Sequence, residues 1–177
     1  MSTIKTNAIQ TVAGKPILNS TGSILQVVQT LKTNSFSATS TGNNVWVDIT
    51  GLSASITPSS SSSKILVMYT VYSSHALTTY GRSTRLVRGS TPIAVGDLSG
   101  STPQATTNAY MAYAASMVCE TATVLDSPAT TSSTTYKVQF SAENTNSTYY
   151  VNIPGSITND GRSATTVSSI TLMEISA

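Results

Sequence analysis

Charge is scarce in this chain: Asp, Glu, Lys and Arg make up 9% of its 177 residues, nine basic against seven acidic side chains. An ordinary soluble protein carries roughly 25%. Nine thinly spread cations form no basic stripe, so nucleic acid is not expected as a partner. The single cysteine, Cys119, excludes an internal disulfide framework. The single histidine, His75, has no companions at ligand spacing; no metal site is expected, and the side chain is read as lying at a surface or interface. No G-x-S-x-G turn is present, and that one histidine would have to serve any catalytic triad, so the chain is not expected to be an enzyme and no cofactor is implied. No window approaches the ~20 apolar residues of a membrane span. The opening Met1-Ser2-Thr3-Ile4-Lys5 lacks the apolar core of a secretory signal, which points to synthesis in a cytosol without export by that route.

Hydroxyls take the place of charge. Ser and Thr make up about a third of the chain. Neutral hydroxyls are buried at modest cost once paired, whereas ions are not, so such a surface suits packing among copies of the same chain. It also suits a particle that meets changing ionic strength, because screening acts only on charge.

Helix-favouring residues are outnumbered throughout by Thr, Val, Ser, Ile and Tyr, which favour a pleated backbone. Tyr136, Val138, Phe140 and Ala142 alternate with Lys137, Gln139, Ser141 and Glu143 at a period of two. Val45, Val47 and Ile49 do the same, as do Tyr149, Val151 and Ile153. Lys64 to Tyr72 is apolar on both faces, the pattern of a central strand, and residues 165–175 form a terminal one. Turn clusters separate eight to ten such runs, which predicts an all-β chain folded as an antiparallel, jelly-roll-like β-sandwich. The polyserine Ser59 to Ser63 reads as a solvated loop.

The leading residues differ. Ile4, Ile9, Val12, Ile17 and Leu18 are scattered among Thr, Asn and Gln, and a denser run with Ile24, Leu25, Val27 and Val28 follows. No turn folds this stretch into a hairpin. Ordering it costs on the order of 1.5 kcal/mol per residue, which a lone extended segment cannot offset. Residues 1–33 are therefore read as an attachment arm whose apolar side chains shelter against other chains, and residues 34–177 as the sandwich knob. Ile4, Ile9, Val12, Ile17, Leu18, Ile24, Leu25 and Val27 are the candidate anchoring residues.

The opening STIKTNAIQTVAGKPIL resembles the attachment segment of many bacteriophage fibre proteins. GSILQVVQT, VWVDITGLSASITPSSSSSKILV, RLVRGSTPIAVGD, LDSPATTSSTTYKVQFSA and the ending ITLMEI are similar to a family of small β-sandwich virion proteins of tailed, often marine, phages. The resemblance implies a virion structural protein assembled in the bacterial host cytoplasm. It implies a homotrimeric tail fibre or head-attached fibre, joined to other virion proteins by its N-terminus, with a knob that contacts the host surface. It implies no catalytic residues. A capsid decoration protein and a free carbohydrate-binding module remain open alternatives.

Individual residues add two candidates. Arg82, Arg85 and Arg88 either capture an anionic host surface such as lipopolysaccharide phosphate or acidic sugar, or pair with Asp97, Asp126 or Glu120; pairing is the preferred reading. Tyr80, beside Gly81, is the tyrosine expected to be exposed as a sugar-stacking platform, while most of the other seven pack in strands. Cys119, within Met117-Val118-Cys119, is read as a small buried side chain.

Overall fold

The computed structural model describes residues 21–39, 41–42, 44–76, 81–110, 113, 116–143, 146, 148–158, 161 and 163–177. These residues contain eleven strands and no helix. They are β1 (Ile24–Lys32), β2 (Phe36–Thr39), β3 (Val47–Ile56), β4 (Lys64–His75), β5 (Gly81–Arg88) and β6 (Thr91–Ile93). Then come β7 (Thr107–Tyr110), β8 (Val118–Asp126), β9 (Thr134–Ala142), β10 (Thr148–Val151) and β11 (Ser168–Ile175).

Two antiparallel sheets face each other. In the first, β1 pairs with β11, β11 with β4, and β4 with β8; β2 and β10 prolong the β1 and β11 positions along the far end of β4. In the second the order is β3-β9-β5, with β6 and β7 sharing the other edge of β5. Taking β1/β2, β6/β7 and β10/β11 each as one interrupted strand leaves eight. Their orders are 1-8-3-6 in one sheet and 2-7-4-5 in the other. That is the double Greek-key winding of a jelly roll.

Alternation fills the space between the sheets. Tyr136, Val138 and Phe140 from β9 meet Ile65, Val67, Tyr69 and Val71 from β4, with Leu52 and Ile56 from β3 and Ile170 and Leu172 from β11. Phe140 stacks on Tyr149 at 4.0 Å between ring centroids, and Phe36 meets it edge-on at 6.1 Å. The strand expected around Lys64 to Tyr72 is indeed central, paired along both edges.

Asn152 explains the interrupted strands. It lies between β10 and β11, fully buried, in the left-handed region at φ 64°. Its amide nitrogen donates to the carbonyls of Lys32 and Asn34, where β1 gives way to β2, and its side-chain oxygen accepts from Ser168. Its N–H donates to the Tyr72 carbonyl. One side chain thus satisfies the backbone of a break that crosses three strands. Nearby, Gly155 passes against the His75 carbonyl so closely that any Cβ there would clash with backbone.

The boundary between arm and knob moves. Ile24, Leu25 and Val27, expected in the arm, lie in β1, which pairs with β11 from Ile24↔Ile175 to Lys32↔Ser168. Gly22 N–H to Ser176 O and Ser176 N–H to Ser23 O close this ladder. Residues 24–32 therefore belong to this chain's own sandwich, with Val28 packed against its core, while Ile24, Val27 and Leu31 remain more than half exposed. The anchoring candidates Ile4, Ile9, Val12, Ile17 and Leu18 lie outside the described residues, as does Tyr80.

Candidate functional site

The three arginines do not form an exposed cationic patch. Arg82 is 1% exposed and points between the sheets. Its Nε donates to Ser73 Oγ at 2.7 Å and lies 3.5 Å from Glu120 Oε1, which also accepts from Ser73 at 2.6 Å. Thr107 donates to the other Glu120 oxygen, and Thr84 links Thr107 to the Tyr69 hydroxyl. Burial pushes the Glu120 carboxyl up and the Arg82 guanidinium down, each opposed by the other's charge. The two terminal nitrogens of Arg82 and the Tyr149 hydroxyl have no hydrogen-bond partner among the described residues. Arg88 makes both of its Asp126 contacts at 2.8 Å and shares that carboxylate with the Tyr136 hydroxyl. Arg85 does face outward, but it lies over the Trp46 ring at 4.2 Å and donates to Gln139. Two of the three thus pair with acids that the sequence reading proposed, Glu120 and Asp126. Surface recognition by Arg82 is corrected by its burial.

Two more residues are placed differently from expectation. His75, expected at a surface or interface, is fully buried where β4 meets β10. Cys119, expected inside, is exposed on β8 because the strand's alternation turns it outward while Glu120 turns in.

The outer face of the first sheet stands out for what it lacks. Register places Val27 opposite Met173, Met173 opposite Leu66, and Leu66 opposite Leu125, an apolar row across four strands. The next row is Gln29, Thr171, Met68 and Thr123, and the one after it Leu31, Ser169, Thr70 and Thr121. Val27, Leu31 and Leu125 are each more than half exposed. Lys64, at one margin, is the only charged residue on this face among the described residues. Glu120, Asp126 and Glu174, the acids of β8 and β11, all turn to the other side.

Across the sandwich, the outer face of the second sheet carries Asp48, Lys137, Gln139 and Arg85 in one polar chain. Asp48 accepts from Lys137 at 2.8 Å and Gln139 at 2.7 Å. Burial alone would raise the Asp48 carboxyl, but these bonds and the nearby cations bring it below its usual value. Beyond this chain, toward β7, lies a groove of about 610 Å³. Ser141, Ser83 and Asn108 form a row across β9, β5 and β7 at its base. Ser101, Thr102 and Pro103 wall one side, with Asn44 donating to the Ser101 carbonyl at 3.2 Å. Glu143 closes one end, accepting from the Gly81 N–H at 2.7 Å. Sequence reasoning missed this site. Its lining comes from four separate segments, and its Ser, Thr and Asn residues are indistinguishable in pattern from the rest of a hydroxyl-rich chain. Among the described residues no group of three His, Cys, Asp or Glu side chains could hold a metal ion.

Comparison with known proteins adds little. No family model matches the chain, and no curated protein matches it. Among solved structures, a chain from "Structure of infectious bursal disease virus Gx strain" is similar over 97% of this chain and 42% of that one, with a TM-score of 0.43 and 11% identity. This chain therefore spans less than half the length of that neighbour.

Proposed function

We propose that the chain is a virion structural protein of a tailed bacteriophage, a subunit of a homotrimeric tail or head fibre. Residues before β1 attach it to the particle, and the sandwich forms the outward knob. The observation that carries this reading is the outer face of the first sheet, which among the described residues carries no charge but Lys64 at one margin. Burying the rows from Val27 to Leu31 against neighbouring copies desolvates no ion, because Lys64 stands at the margin beyond them, and the apolar row supplies the driving force. Closed cyclic symmetry then uses one such face per copy and leaves the other sheet in solvent. The whole-chain resemblance to phage β-sandwich proteins and the low overall charge support the same reading. No catalytic step is assigned.

Quantitative mass spectrometry of purified particles tests the assignment. A fibre is present in a few trimers per virion. Absence from purified particles overturns the virion reading, and copies in proportion to the major shell protein replace the fibre with a decoration subunit.

A further inference from the structure

We propose that the groove on the outer face of the second sheet is a binding site for a neutral saccharide, a hexose or N-acetylhexosamine unit. Three observations converge. The volume, about 610 Å³, is that of a small-ligand site. Half of the lining residues, Asn44, Ser83, Ser101, Thr102, Asn108 and Ser141, bring hydroxyls and amides that pair with sugar hydroxyls, and Gly81, Pro103, Ala105 and Ala142 leave apolar surface between them for the ring carbons. Asn108 accepts the Ser83 hydroxyl at 3.1 Å through its oxygen, so its amide nitrogen keeps both hydrogens as donors. Tyr110, two residues further along β7 and paired with Gly81, lies on the same face as Asn108 and is 63% exposed. It stands beside the groove as an aromatic surface with a polar tip, which suits the apolar face of a pyranose ring.

Charge narrows the ligand. Among the described residues the one ionisable group exposed in the lining is the Glu143 carboxylate, since the Arg82 side chain is turned inward to Ser73 and Glu120. A carboxylate with no accessible cation beside it among the described lining residues disfavours sialic and uronic acids and phosphorylated sugars. The chemistry is thus opposite to the anion capture that three arginines in one segment suggest. The inference stands apart from the virion reading, because the same groove exists on an isolated sandwich.

The test is an array of immobilised oligosaccharides of neutral hexose, N-acetylhexosamine, sialylated and uronic types, probed with the full-length protein. Binding is expected to neutral or N-acetylated members. Asn108→Ala and Tyr110→Ala are each expected to weaken it about tenfold, while Arg85→Ala, on the same sheet outside the groove, binds as the wild type does. Tyr110 is exposed near a strand end, so its substitution leaves the fold intact, as a thermal melt checks. Binding confined to acidic glycans, binding to no glycan, or undiminished binding by both groove variants overturns the proposal.

Discussion

On β9, β3 and β5 the outward positions hold Lys137, Asp48, Gln139 and Arg85, each bonded to the next in that order. On β1, β11, β4 and β8 the equivalent positions hold Val27, Met173, Leu66 and Leu125, then Thr, Ser and Met. Both faces belong to antiparallel sheets with one side on the same core. The first of them is how such a sheet ordinarily meets water. The second keeps its acids on the reverse and, among the described residues, a single lysine, Lys64, at its margin. Glu174, inside on β11, accepts from Gln26 and from both the N–H and hydroxyl of Ser59, tying the polyserine loop to the sheet. The contrast shows that the scarcity of charge is not spread evenly. It is concentrated where a partner would have to desolvate it, and there neutral hydroxyls cost little whether wet or buried.

The largest effect should come from removing β1. A chain lacking residues 1–32 bares the edge of β11 and one flank of the core, and its melting temperature should fall by more than about 10 °C or the cooperative transition vanish. A chain lacking only residues 1–20 should melt within about 3 °C of the full chain, because β1 and its ladder are kept. Differential scanning calorimetry separates the two; equal melts for both would show that β1 contributes nothing to the sandwich.

A smaller effect is expected at the reverse of the uncharged face. Burial alone would raise the Glu174 pKa, but the bonds from Ser59, Gln26 and Ser63 hold it down to about 2. Its folded value lies below its unfolded one, so the stabilisation is present above about pH 4.5 and is lost as pH falls toward 2. Glu174→Gln should cost about 2 kcal/mol at pH 7 and flatten the acid limb of the stability curve between those values. Urea titrations at pH 7 and pH 3 read both; an unchanged acid limb would count against the assignment.

The smallest effect belongs to the charged face. Arg85→Ala or Asp48→Ala should change stability by about 1 kcal/mol or less, with a difference that shrinks in 1 M salt, and should leave self-association unaltered. A loss of association in either variant would reverse the roles given to the two faces.

Much of the fold was legible in the residues. The period of two in Tyr136 to Glu143 identifies a core strand whose apolar face is buried as its pattern implies, whereas the two-sided run from Lys64 to Tyr72 is central but buried on one face, with Leu66, Met68 and Tyr72 on the other only half-buried. β1 was not legible, since its partner β11 lies more than a hundred residues away and nothing local signals that pairing. Arg82 follows the same parity as Thr84 and Leu86, both buried, yet a lone strand gives no hint that Glu120 waits opposite. Cys119 and Glu120 are adjacent, and which of them turns inward depends on register set by β4. The groove is formed by loop and strand together, so composition could not mark it.

Sedimentation velocity of the full-length protein beside Leu66→Lys/Met173→Lys is the most direct measurement. It places two charges in the apolar row and leaves the core and the opposite face untouched. The wild type is expected to sediment as a trimer at micromolar concentration and the variant as a folded monomer. A monomeric wild type, or a variant that sediments as the same trimer, would contradict the role given to the first sheet's outer face.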